Sequence, residues 1–219
     1  MHRLFLLSPA NCGGKRAALL LREGAAFDLA LRLRHGAVPL GEVFSFVSGL
    51  YFRGKLAYAS RFARPPRGFP AAQVITSDRG LLSPAAPVTR ADLVACAGVP
   101  VDLADARYRQ PLARDVAALA ATLPPDCDVV LLGSIATGKY FDLLADVLGG
   151  RLRFPAGFVG RGDMSRGALM LAAARRGEEL PYVAAGAVRT GPRAPGVDTP
   201  TATASRALRA AARARRSAR

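Results

Sequence analysis

Three short, unbroken apolar runs constrain this chain more than anything else in it. Leu4–Leu7, Val74–Thr76 and Val129–Leu132 each stop at a polar turn: Ser8-Pro9, Ser77-Asp78-Arg79-Gly80 and Gly133-Ser134. A run that is apolar at every position, without alternation, suits a strand covered on both faces. That is the situation of a parallel strand between helical layers. Leu152–Phe154 and Tyr182–Val188 are weaker candidates of the same kind. Helical spacing fills the intervals, over Lys55–Ala63, Leu112–Leu123, Lys139–Leu148 and Ser165–Arg175. In the second of these, Leu112, Val116 and Leu119 fall on one face. Strands alternating with helices of about ten residues predict an α/β fold: a single three-layer domain over 1–189 with a mostly parallel sheet flanked by helices. Between Glu23 and Ser48 the pattern is less decisive. Phe27–Leu33 reads as a helix closed by Gly36 and Pro39, whereas Val43–Val47 suits strand or helix equally.

After Arg189 the composition changes. Thr190-Gly-Pro-Arg-Ala-Pro-Gly reads as a linker, and Ser205–Arg216 is an Arg/Ala segment with little apolar surface to dock. Residues 190–219 are expected to form a Pro/Gly linker and a disordered, Arg-rich tail. Charge is lopsided throughout, 31 Lys+Arg against 16 Asp+Glu for a net +15. Residues 190–219 hold seven Arg and one Asp, so the body keeps +9. A basic body with a basic tail favours polyanionic partners, either nucleic acid or a phosphate-bearing small molecule.

Other classes are disfavoured. The cysteines, Cys12, Cys96 and Cys127, are scattered, which argues against a disulfide framework or zinc site; neither metal nor cofactor is expected. The apolar run at the N-terminus is too short for a signal peptide, and no stretch of about 18 apolar residues occurs. A cytoplasmic protein without membrane contact is expected, its oligomeric state left open.

Four predicted strands run into Gly-rich polar loops that open helices: Ser8–Arg16, Ser77–Pro84, Gly133–Lys139 and Gly160–Gly167. In a parallel sheet such loops gather at the carboxyl ends of the strands, where ligands bind. Backbone N–H groups there attract anions, and glycine lets a phosphate come close. The candidate anion ligands are Ser8, Asn11, Lys15, Ser77, Arg79, Ser134, Thr137, Lys139, Arg161 and Arg166. None of the loops is a Walker motif, because Tyr140 follows Lys139. Only three lysines accompany 28 arginines, and Lys15, Lys55 and Lys139 all follow glycine. Lysine is a compact charge with a movable pKa, so a rare lysine at a loop-to-helix junction points to a specific task; Lys15 and Lys139 occupy such junctions.

Asp78 and Asp163 are the candidate catalytic carboxylates. Each has an Arg nearby that would lower its pKa and suit it to act as base or charge stabiliser. Capping a helix is the competing role for Asp163. Cys12 lies in a Gly-rich loop that would stabilise a thiolate, with no His nearby in sequence. Tyr58 and Phe62, four apart, read as core, while Tyr51 and Arg53 could stack and bind a nucleotide.

The order of these pieces resembles YaaA-like and archaeosine-synthase-associated α/β domains. The matching residues are Ser8-Pro9-Ala10, Ser48-Gly49-Leu50-Tyr51, Thr76-Ser77 with Gly80-Leu81-Leu82-Ser83-Pro84, and the strand end Val130–Gly133, spread over residues 4–170. Members of that group look like DNA-binding or modified-base-related proteins, some similar in fold to base-excision glycosylases. The resemblance therefore implies an enzyme that recognises a nucleotide or nucleobase, acting on nucleic acid at a base or N-glycosidic bond. On that reading Lys15, Lys139, Arg161 and Arg166 hold phosphate, and Asp78 serves as base or oxocarbenium stabiliser. The rival expectation is a non-catalytic nucleic-acid-binding protein using the same basic cleft and tail, and a third is a small-molecule phosphate-ester enzyme, which needs the cleft but not the tail.

Removing residues 196–219 should leave the melting temperature unchanged within error, because that segment has almost nothing apolar to bury. A drop of several degrees in a thermal unfolding scan would show that the tail docks.

Overall fold

The computed structural model describes residues 1–135 and 138–185. The expected linker and tail lie outside the described residues, as does Thr137. The central strand is β1 (His2–Leu7), parallel on one side to β3 (Ala72–Ile75) and on the other to β6 (Cys127–Leu132). Beyond β6 lies β7 (Leu152–Pro155), also parallel. Short antiparallel strands close the two edges, β4 (Leu81–Leu82) on β3 and β8 (Tyr182–Ala184) on β7. A separate two-stranded pair joins β2 (Val38–Pro39) to β5 (Pro87–Val88).

The unbroken apolar runs are explained by two cores. Phe5, Leu7, Val74, Val130 and Leu132 face one layer, while Leu4, Leu6, Ile75, Val129 and Leu131 face the other. The first layer holds α1 (Lys15–Leu21), α2 (Asp28–His35), α3 (Leu40–Ser48), α4 (Leu50–Phe62), α5 (Arg90–Ala97) and α8 (Asp163–Arg176). The second holds α6 (Ala106–Thr122) and α7 (Phe141–Leu148). The three-layer α/β expectation thus holds over the described residues. Val43–Val47 is helical: Val43, Phe44 and Val47 recur at helical spacing on the buried face of α3, and Phe44 meets Phe52 of α4 edge-to-face at 5.4 Å. Helix α5 was not expected. A capping box starts it, in which the Thr89 side chain accepts from the Asp92 N–H and the Asp92 carboxylate accepts from the Thr89 N–H.

Helices α4 and α8 pack with their backbones unusually close. A Cβ on Gly54 would lie 2.7 Å from the Gly167 carbonyl oxygen, and a Cβ on Gly167 2.8 Å from the Tyr51 Cα. Only two glycines let these helices meet. The apolar stripe of α4 that this contact presses toward the sheet runs Tyr51, Lys55, Tyr58, Phe62, a spacing of three and four residues with a lysine in the middle. Tyr58 stacks at a tilt on Phe62, 4.6 Å between centroids, as the core reading of that pair expected. Its hydroxyl accepts from the Leu180 N–H and shares a 2.7 Å hydrogen bond with the Tyr182 hydroxyl, tying β8 to α4.

Edge strand β4 is held from outside the sheet as well. The Leu81 N–H donates to the Asp115 carboxylate of α6 at 2.9 Å, so this edge is partly covered by a charged group.

Gly54→Ala should destabilise the fold by about 1–3 kcal/mol, the usual cost of forcing a methyl into a packed interface. The measurement is the midpoint of urea unfolding; a midpoint equal to that of the parent would mean the helices can part without cost.

Candidate functional site

The strand order reverses direction between β1 and β6. The chain leaves β1 for β3 on one side, then returns past β1 to build β6 and β7 on the other. In open parallel sheets such a switch leaves a crevice outside the carboxyl ends of the two strands concerned. Here those ends are Ser8 after β1 and Gly133-Ser134 after β6, and a cavity of about 520 Å³ opens there. Its walls include Ser8, Asn11, Ser48, Tyr51, Ser134, Lys139, Tyr140 and Asp163.

Ser8 extends β1 by one rung, its N–H donating to the Leu132 carbonyl at 3.2 Å. This places its hydroxyl beneath the crevice. Lys55 reaches it from α4: Nζ lies 2.6 Å from Ser8 Oγ and donates to the Ser8 carbonyl at 2.9 Å. Lys55 is fully buried. The Tyr51 ring lies 4.0 Å and the Phe52 ring 5.2 Å from its ammonium. Among the described residues no carboxylate forms an ion pair with it. Burial pulls the Lys55 pKa down to about 7; Asp163 opposes that shift and Arg166 adds to it. Ring faces stabilise a cation by only about 1–2 kcal/mol, too little to offset desolvation of a full charge.

Tyr140 completes the floor. Its hydroxyl accepts from the Ser134 N–H at 2.9 Å. Burial pushes the phenol up, against the Ser8 hydroxyl and the Ser134 N–H, which favour its anion. The approach of Ser8 to Tyr140 depends on Gly133, where a Cβ would lie 2.8 Å from both Ser8 Cβ and the Tyr140 oxygen. Tyr51 presents a buried hydroxyl with no hydrogen bond of normal geometry, and burial raises its pKa too.

The structure gathers Ser8, Asn11, Ser134, Lys139 and Asp163 around this crevice, whereas the described candidates Lys15, Ser77, Asp78, Arg79, Arg161 and Arg166 do not line it. Lys15 opens α1 from the loop after β1 and is exposed, but does not line the crevice. Arg161 is exposed and donates to Ser165 Oγ at 3.1 Å. Arg166, expected on phosphate, is buried: its Nε donates to the Phe158 carbonyl at 3.2 Å, and it pairs with Asp163 at 3.4 Å. It fastens α8 to the preceding turn. Asp163 is the first residue of α8, after the N-cap Gly162, so it stands in the acid-favouring first turn and on the crevice wall together.

The loop after β3 turns away from the crevice because it doubles back into β4. The Thr76 N–H and hydroxyl both bond to the Gly80 carbonyl, and the Ser77 hydroxyl donates to the Cys96 carbonyl at 2.6 Å. Asp78 and Arg79 therefore border a separate, small cavity of about 10 Å³ beside Asp92, Leu93 and Cys96. The lowered pKa expected for Asp78 is also reversed. Burial raises it, with Arg79, 3.6 Å away, opposing. Cys12 is corrected likewise: a hydrogen bond with Cys96 and burial push its thiol up, so the loop does not stabilise a thiolate there.

No protein-family model matches the chain, and no curated protein or solved structure is similar to it.

The depressed Lys55 pKa has a sign that unfolding can read. An ordinary lysine titrates at 10.5 and folded Lys55 near 7, so between those values the unfolded chain binds the extra proton. Stability should therefore rise from pH 7 toward 10.5 as the penalty of burying the charge is relieved. Lys55→Met should lack that rise, and its stability advantage or deficit relative to the parent should shift toward the parent across this window. Parallel pH profiles from urea unfolding would refute the depressed value.

Proposed function

We propose that the chain is an enzyme that binds a nucleotide, or another phosphate-bearing small molecule, in the crevice at the β1/β6 switch. One observation carries this reading. At the place where the topology opens the sheet, hydroxyl, amide and ammonium groups converge: Ser8, Asn11, Ser48, Ser134 and Lys139 line one cavity. Cavities of several hundred cubic ångströms with a few convergent polar groups are the usual form of small-molecule sites. Lys139 is exposed at the rim and bears the charge that a phosphate would meet first. Asp163 is the one sequence-nominated carboxylate on the wall, and chemistry at an N-glycosidic bond would have to use it, because Asp78 borders the other cavity.

A second reading, a nucleic-acid-binding protein, is favoured by the net charge of +15. It requires that affinity for DNA or RNA fall linearly in log–log form with salt, at a slope of several phosphates. Flat salt dependence, or no binding at low salt, would remove it.

For the first reading the test is calorimetric titration with nucleoside monophosphates and with inorganic phosphate. Binding should be saturable, and Lys139→Ala should weaken it roughly tenfold or more, the value of one hydrogen bond to a charged group. Folding stability should hardly change, since an exposed lysine contributes little to it. Binding that is indifferent to Lys139→Ala, or absent, would overturn the assignment.

A further inference from the structure

The pair Ser8–Lys55 is not explained by ligand binding. A side chain whose only task was to tie down the end of β1 could do so as a neutral hydroxyl or amide, with no charge to desolvate. Lysine instead brings an amine that loses its proton near neutrality because it is buried, 2.6 Å from a serine hydroxyl on a cavity wall. That is the requirement for an activated nucleophile: an oxygen in reach of a base whose pKa is close to the working pH. The chain has two histidines, and His2 and His35 are both exposed, so among the described residues Lys55 is the base that reaches Ser8. The charged and titratable groups that face Lys55 are few. Asp163 and Arg166 come from α8, Tyr51 from α4 and Tyr140 from the start of α7. Asp163 and Arg166 pair with each other, 3.4 Å apart, so their effects on the amine largely oppose.

We propose that Ser8 and Lys55 form a nucleophile–base pair that hydrolyses carboxylic esters of phosphate-bearing compounds through an acyl-Ser8 intermediate. The ester chemistry stands on this pair alone, and the phosphate-bearing part of the substrate rests on the function proposed above. In the first half, Ser8 Oγ attacks the ester carbonyl carbon and gives its proton to neutral Lys55 Nζ, while the carbonyl π pair moves onto oxygen. When the tetrahedral intermediate collapses, the carbon–alkoxy bond breaks and the Lys55 ammonium protonates the departing alkoxide, releasing an alcohol. In the second half, water attacks the acyl-Ser8 carbonyl and passes a proton to Lys55. The Ser8–acyl bond breaks, Ser8 Oγ takes that proton back, and a carboxylic acid leaves. Tyr140, protonated because burial raises its pKa, lies beside Ser8 as a hydrogen-bond donor for oxyanion charge.

The full-length protein is treated with p-nitrophenyl acetate between pH 5.5 and 9, following nitrophenol release and mapping the acetylated peptide by mass spectrometry. Acetyl on Ser8, formed at a rate that rises through pH about 7 and then levels, supports the pair. Lys55→Met should slow the reaction by on the order of a hundredfold or more, and Ser8→Ala should abolish it, while Ser60→Ala, on the exposed face of α4, leaves it unchanged. Acetyl found only on other residues, or a rate still climbing at pH 9 as for ordinary lysines, would overturn the pair; both are read on the parent protein, whether or not the variants fold. Added adenosine 5′-monophosphate should protect Ser8. Acetylation of Ser8 without protection would leave the pair standing and overturn the phosphate-bearing substrate class. Nucleotide binding without Ser8 acetylation would overturn the pair and leave the binding reading intact.

Discussion

Fully desolvating an amine is among the most unfavourable things a fold can do with a side chain, and this fold does it to Lys55 at the centre of the sheet's carboxyl edge. Several features elsewhere in the structure make the burial possible. Two glycines bring α8 close enough to cover α4, and the lysine is fully buried beside Ser8. The amine then meets two aromatic faces and two oxygens of Ser8. None of these offers the full charge of a carboxylate, which would hold the ammonium protonated. The result is a group poised between its two protonation states where the strand order opens a crevice.

That position also explains why the rest of the edge is arranged as it is. The two central strands are apolar at almost every position because helices cover both faces, so the polar groups of the region are confined to the strand ends. Gly133 keeps the end of β6 bare, and Ser8 and Tyr140 can meet across it. The loop after β3 spends its polar groups internally, on Gly80 and Cys96, and forms a hairpin that leaves the crevice to the other loops. Serine, lysine and tyrosine thus come from the first strand, the fourth helix and the start of the seventh, and only the sheet connects them.

Much of the architecture was legible in the sequence because it follows from local rules. Unbroken apolar runs marked β1, β3 and β6, whereas their order in the sheet, and with it the switch point, came only with the fold. The helical nature of Val43–Val47 was not legible, since four apolar residues around Ser45 suit either structure until their partners are known. Of the crevice, Ser8, Asn11, Ser134, Lys139 and Asp163 were nominated because they sit in loops. Lys55 was not: its neighbours Tyr51, Tyr58 and Phe62 form an apolar stripe, and a lysine inside such a stripe reads as one that reaches out to water. Its signal was its rarity among 28 arginines and the glycine before it, a residue whose reason is the contact with Gly167. Arg166 and Asp78 misled for the opposite reason. Polar residues in Gly-rich loops look available, and only the folded chain shows that one is buried against a carbonyl and the other turned toward a second cavity.

The glycine contact between α4 and α8 has a consequence for when the site comes into being. Gly54 and Gly167 lie far apart along the chain, with most of the sheet between them, so their closeness requires the two halves of the fold to be joined. Until α8 is in place, Lys55 keeps access to water and an ordinary basicity. Before then Ser8 lacks the neutral amine that the proposed pair requires. Reactivity at Ser8, as proposed above, would accordingly be a property of the completed fold alone.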